Sequence, residues 1–208
     1  MSTLATPGPI VVPVEPVDSG WMPSPLYRMT VEEYEAMVAS GALKERKRLH
    51  LINGLLVEKM TQKPPHAIAD ELCRDELDRV KPAGWHVRSA KPIRLLGQAS
   101  VPEPDHCVVR GARRDYLAGH PGPGDIVLVV EIADSSLADD RAYASKLYGP
   151  AAIPVYWIVN LVDRQVEVYT DPGAAGYATR TDYRPGQQVP VVIGGQPVGQ
   201  IAVDDMLP

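Results

Sequence analysis

Phenylalanine is missing altogether from this chain of 208 residues, and aromatic residues make up only 6% of it. The apolar content is nonetheless ordinary at 45%, so Leu, Ile, Val, Tyr and Trp must fill the core. Cysteine is scarce too. Cys73 and Cys107 stand far apart without metal-ligand spacing, which argues against a disulfide framework and predicts two reduced, buried thiols. No apolar run approaches the roughly 18–20 residues that span a bilayer, and no basic residue precedes Arg28 to open a secretory signal. The expectation is a cytoplasmic protein with no membrane partner. Gly-x-x-x-x-Gly-Lys-Ser/Thr, His-Glu-x-x-His and Gly-x-Ser-x-Gly are absent, and the histidines at 50, 66, 86, 106 and 120 lack zinc spacing. These absences argue against P-loop nucleotide binding, zinc proteolysis and serine hydrolysis. There are no internal repeats, and a net charge of −5 disfavours a dedicated nucleic-acid coat protein.

Proline is abundant, and six prolines fall between Pro7 and Pro25. Residues 1–27 therefore read as an extended arm, with a domain over 28–208. Thr30-Val-Glu-Glu33 is a capping box opening a helix that Gly41 stops. Asn53-Gly54 between two apolar runs predicts a hairpin, and Ala67–Val80 a helix with Ile68, Leu72, Leu77 and Val80 on its apolar face. Short strands are expected at Trp85–Ser89 and Ile93–Leu96, and valine-rich buried ones at 105–110 and 125–133. A polar loop over 111–124 separates those two. A helix from about Leu137 to Tyr148 follows, then a buried strand Val155–Asn160 paired antiparallel with Arg164–Tyr169, and two final strands at Gln188–Ile193 and Val198–Val203. This order specifies a mixed sheet with helices packed on it, in the α/β or α+β class.

Two acids stand out. Asp105 opens one buried strand and Glu131 ends the apolar part of another, and bare carboxylates at the edge of a valine-rich core need compensation. One solution is a hard cation such as Mg²⁺, with the Ile132 carbonyl as a further oxygen ligand. The other is pairing with Arg110 or Arg114, which would merely tie strands together. Lys44, Arg46, Lys47 and Arg48 form one basic patch, and Arg110, Arg113 and Arg114 a second. Each reads either as solvated surface or as a cluster contacting the phosphates of DNA.

Pro104-Asp105, Val129-Val-Glu131-Ile-Ala-Asp-Ser-Ser136 and Ile153-Pro-Val-Tyr-Trp157-Ile-Val-Asn160 together resemble the Uma-two restriction endonuclease family of the PD-(D/E)XK nuclease superfamily. Met29–Tyr34, Leu51-Ile-Asn-Gly54, Met60 and His66 extend the resemblance. It implies a restriction-endonuclease-like fold and a DNA endonuclease site, with Asp105 and Glu131 as ligands for Mg²⁺ or Mn²⁺. Folds of that kind often act as homodimers. Three positions depart from the family pattern: Ala133 and Ala144 stand where lysine is expected, and His50 where glutamate is. Lys146 is then the best remaining water-orienting base, with His50, His66 and Arg141 as outer candidates. The alternative is a module on the same fold that has lost its chemistry and binds nucleic acid or a protein.

Overall fold

The computed structural model describes residues 25–43 and 49–208. The proline-rich arm up to residue 24 and the patch Lys44, Arg46, Lys47 and Arg48 lie outside the described residues.

The first helix, α1 (Val31–Ser40), starts on the predicted capping box: Thr30 Oγ1 accepts from Glu33 N–H, and the Glu33 carboxylate accepts from Thr30 N–H. It ends on Gly41 in the left-handed region. Next come β1 (Leu49–Ile52) and β2 (Leu55–Glu58), an antiparallel hairpin. Asn53 and Gly54 both have positive φ (49° and 76°), as a two-residue hairpin turn demands. A side chain at Gly54 would also meet Arg28 Cβ at 2.7 Å.

Helix α2 (Pro64–Val80) leads into β3 (Trp85–Ser89), β4 (His106–Arg110), β5 (Ile126–Ala133) and α3 (Leu137–Tyr143). Then follow β6 (Val155–Asn160), β7 (Gln165–Gly173), β8 (Gly176–Tyr183), β9 (Gln188–Ile193) and β10 (Gln196–Ala202). Strands β3 to β8 form one six-stranded sheet in sequence order. All its neighbours pair antiparallel except β5 and β6, which α3 connects as a parallel pair. This is a mixed α+β fold, as expected. Among the described residues no helix is long and apolar enough to cross a membrane.

The sheet divides the core in two. On one face α2 and the β9–β10 hairpin pack on Val108, Val130, Ile132 and Trp157. On the other, Ile52, Leu147, Tyr148 and Ile153 cover Val109, Val129, Tyr156 and Ile158. Alternation along β5 sends successive side chains to opposite faces. Both cysteines are buried free thiols.

Four local expectations are corrected. Helix α2 buries Ala69, Cys73 and Leu77 rather than Ile68, which is 49% exposed. Two small residues on that face let the helix sit close against Val87 and Val108. Ile93–Leu96 forms no strand: Ile93 and Leu95 are fully buried, but Ile93 bonds to Pro102 and Leu95 to Ser100 across a tight turn at Leu96–Gln98. Strand β8 was not anticipated; Asp171-Pro-Gly173 extends β7 into a hairpin instead of ending it.

Finally, the helix after Ser136 is α-helical only to Tyr143 and continues as a π turn, Ala144–Tyr148. Gly149 seats that turn on β8. A Cβ there would fall 2.6 Å from Gly176 Cα and 2.7 Å from Ala144 O, closer than real atoms pack.

Candidate active site

His106 pairs with Val130 across β4 and β5, so the next rung outward belongs to Asp105 and Glu131. There the side chains replace the ladder. Glu131 Oε2 accepts the Asp105 N–H at 3.1 Å, and Asp105 Oδ2 accepts the Ile132 N–H at 2.9 Å. Tyr148, held by the π turn, donates to Glu131 Oε1 at 2.8 Å. Both carboxylates are at least nine-tenths buried and open on a pocket of about 140 Å³ that Lys59, His66, Asp140 and Tyr143 also line.

The two acids are driven apart in proton affinity. Burial pushes Glu131 well above the usual carboxylate range, and the charges of Asp105 and Asp140 push it further. Burial acts on Asp105 in the same direction. The His66 imidazole, the Lys59 ammonium and the Ile132 N–H outweigh it and hold Asp105 well below that range. An acid pair split in this way is what like charges in one dry site produce.

Lys59 completes the arrangement, and the sequence reading missed it. Its Nζ lies 3.1 Å from Asp105 Oδ1 and donates to the Glu103 carbonyl at 2.7 Å. The signal was present: Leu55, Val57 and Lys59 share the inward register of β2 while Leu56 and Glu58 face out. His66 sits at the start of α2, with Nε2 3.5 Å from Asp105 Oδ2. One helical turn on, Asp70 lies close enough for a metal ion to join it to His66 and Asp105, the three offering atoms all within 4.8 Å of one another. Asp105 is thus approached by Lys59 from the hairpin and by His66 from α2.

Of the other candidates, His50 and Ile132 line the pocket and the rest do not. His50 lines the pocket from β1, and Ile132 contributes its N–H. Lys146 is exposed on the π turn and does not line the pocket. Arg141 turns the opposite way, onto Glu167 and Asp163. Arg110 lies over the Trp85 ring, 5.1 Å from its centroid, five residues along from Asp105 and hence about 17 Å away at a strand's rise per residue. Arg113 and Arg114 are exposed on a short turn beyond it. The arginine pairing considered for Asp105 is thereby replaced by Lys59.

Asp140 is a second acid that the sequence reading passed over. It is buried in α3, accepts from Ser136 Oγ at 2.7 Å, and is pushed up to about 7 by burial, partly offset by Ser136 and reinforced by Asp105. Its native value exceeds the unfolded one of about 3.9. The native state therefore loses stability as pH rises from about 4 to 7, where the unfolded chain ionises first. In metal-free protein, Asp140→Asn is expected to outstabilise the wild type by up to roughly 4 kcal/mol at pH 8 and by far less at pH 4.5. Urea unfolding at the two pH values in the presence of a chelator checks this.

The donor set suits a divalent ion. Carboxylates at Asp105, Glu131, Asp70 and Asp140 outnumber the cations beside them, and His66 Nε2 is buried without a hydrogen-bond partner. No curated protein matches the chain. Among solved structures, the crystal structure of a putative nuclease belonging to DUF820 from Anabaena variabilis ATCC 29413 is similar, with TM-score 0.62 and 16% identity over 86% of this chain and 97% of that one. At that identity the likeness establishes the fold. The family model Uma2, described as putative restriction endonuclease, matches residues 31–196, a span that contains every pocket residue named above, and the chain belongs to that family.

Proposed function

We propose that the protein is a metal-dependent endonuclease that hydrolyses phosphodiester bonds in DNA. The observation that carries this reading is the junction of Asp105, Glu131 and Lys59 in one pocket, with Lys59 Nζ 3.1 Å from Asp105 Oδ1. Family membership supports the same reaction class. Asp105 and Glu131 would hold Mg²⁺ or Mn²⁺, which when bound acidifies water and offsets charge on the attacked phosphate. Asp105 is kept ionised for that task by Lys59 and His66. The Tyr148 hydroxyl fixes the direction of Glu131.

Lys59 takes the part that sequence alone assigned to Lys146. Held between the Glu103 carbonyl and Asp105, its ammonium orients the attacking water and neutralises charge building on a non-bridging phosphate oxygen. Lys59→Met is expected to cut supercoiled-plasmid cleavage by about 10²-fold or more in Mg²⁺ or Mn²⁺. Lys146→Met should leave the rate within about twofold, as an exposed surface change does. Plasmid left intact by the wild type under both ions would refute the function. Equal loss in the two variants would refute the assignment of Lys59.

A further inference from the structure

The pair Asp105 and Glu131 is an all-oxygen arrangement, yet an imidazole nitrogen stands beside it. His66 Nε2 is 3.5 Å from Asp105 Oδ2, shielded from solvent and without a hydrogen bond. His66 and Asp70 are four residues apart on α2, so they project from one face of the helix. Both are half-buried, on the side that continues the packed stripe Ala69, Cys73 and Leu77.

Asp70 is held in place from behind. His106, fully buried in β4, has Nε2 3.3 Å from Asp70 Oδ1 and 3.0 Å from the Asp70 carbonyl, while its Nδ1 lies 2.9 Å from Ser89 Oγ. Both nitrogens of His106 are therefore occupied, whereas Nε2 of His66 stands beside Asp105 with no hydrogen bond.

We infer that an ion at the α2 edge of this pocket is bound by His66 and Asp70 together with Asp105, as a mixed nitrogen–oxygen site that prefers Mn²⁺ and its transition-metal neighbours to Mg²⁺. Ligands on one ion with bonds of about 2.1 Å lie at most about 4.2 Å apart. The candidate atoms lie within 4.8 Å of one another, so sub-ångström side-chain shifts close the site. Imidazole suits borderline transition ions, whereas Mg²⁺ takes oxygen and keeps its waters. The fixing of Asp70 by His106 and Ser89 is the kind of outer support that metal ligands receive. Each Glu131 oxygen accepts one hydrogen bond, from Tyr148 or the Asp105 N–H, and keeps a lone pair for the same ion, so His66 and Asp70 add to the Asp105–Glu131 pair rather than replace it.

This inference rests on the nuclease reading for the ion's purpose but not for its existence, and binding alone tests it. Mn²⁺ added to the full-length protein is followed by electron paramagnetic resonance, with pulsed detection of nitrogen bonded to the ion. The expected result is directly coupled ¹⁴N in the wild type, lost in His66→Gln and retained in His50→Gln. Mn²⁺ should bind the wild type at least about tenfold more tightly than Mg²⁺, and His66→Gln should erase most of that preference. Circular dichroism of each variant confirms that it is folded.

Bound Mn²⁺ without ¹⁴N coupling, or coupling that survives in His66→Gln, would overturn this ligand set. Plasmid cleavage that still required Asp105 and Glu131 would then leave the nuclease reading standing. Failure of Mn²⁺ to bind at all overturns the inference outright.

Discussion

Asp105→Asn and Glu131→Gln are each expected to reduce DNA cleavage by on the order of 10³-fold, while shifting the stability of the metal-free protein in opposite directions. The loss of activity follows from removing a charge that would face the ion. The divergence in stability follows from the opposite displacement of the two acids. Asp105 is held below its ordinary range, so its ionised form stabilises the fold; that contribution is full above the unfolded value of about 3.9 and disappears as pH falls through the native one. An amide at 105 would also turn a donor toward Lys59 Nζ or toward the Ile132 N–H, at a cost of about 1–3 kcal/mol.

Glu131 is raised by burial and by Asp105, so its ionisation weakens the fold as pH climbs above about 4.3. Glutamine at 131 still accepts from the Asp105 N–H and can donate to the Tyr148 oxygen, without the repulsion. Chelated Glu131→Gln should therefore unfold at higher urea than wild type at pH 8, and chelated Asp105→Asn at lower urea. Added Mn²⁺ should raise the wild-type midpoint more than that of either variant. Parallel shifts of both variants in the chelated state would contradict the charge assignment.

The second large effect lies on the other side of α3. Glu167 is fully buried, yet it is held down to about 2. Burial raises it, but hydrogen bonds from Arg141, Tyr169 and Asn160 and the charge of Arg180 overcome that. Nε of Arg141 lies at 3.2 Å, the Tyr169 hydroxyl at 2.7 Å, Asn160 Nδ2 at 2.8 Å and Arg180 at 3.2 Å. Glu167→Ala removes the acceptor common to all four groups.

Both arginines are more than a third exposed and can hydrate, which places the expected cost near 3 kcal/mol, at the low end for breaking a buried pair. For a domain of this size that is a fall in Tm of about 6–12 °C. Because Glu167 is depressed, its contribution is present above about pH 4.3 and fades as pH falls toward 2, so wild type and variant should converge in acid. Below the new Tm, cleavage should stay within a few-fold of wild type, since neither Glu167 nor Arg141 lines the pocket. A large activity loss in folded Glu167→Ala would return Arg141 to the catalytic site.

The absence of phenylalanine has a consequence that reaches both acid clusters. Tyr148, Tyr156, Tyr169 and Tyr177 fill the space a phenylalanine core would take, with ring centroids 4.9 to 6.2 Å apart. Buried tyrosine hydroxyls need partners. Here they bond to Glu131, the Asp140 carbonyl, Glu167 and the Ile153 carbonyl, so the aromatic layer joins the pocket acid to the Glu167 cluster.

Local rules carried the sequence a long way. Caps, the Asn53-Gly54 turn and valine-rich runs are short-range signals, and they specify α1, the hairpin and strands β4 to β6 without reference to the rest of the chain. Where several faces compete, the local signal ran out. Ile68 looks more apolar than Ala69, yet the sheet accepts the smaller residues. The π turn depends on Gly149 meeting Gly176 on β8, a strand the sequence reading did not contain. A regular α-helical register turns Lys146 away from the position where lysine is expected, so its candidacy needed a distorted helix; the π turn is such a distortion, and it still leaves Lys146 exposed and off the pocket.

By itself the sequence determined that two acids would end neighbouring strands of a mixed sheet, because strand register converts alternation into position. Only the tertiary structure decided what surrounds them. Lys59 and His66 reach Asp105 from a hairpin and a helix packed against the sheet, and how separate layers dock is set by the summed shape of many side chains, which no stretch of the chain encodes on its own.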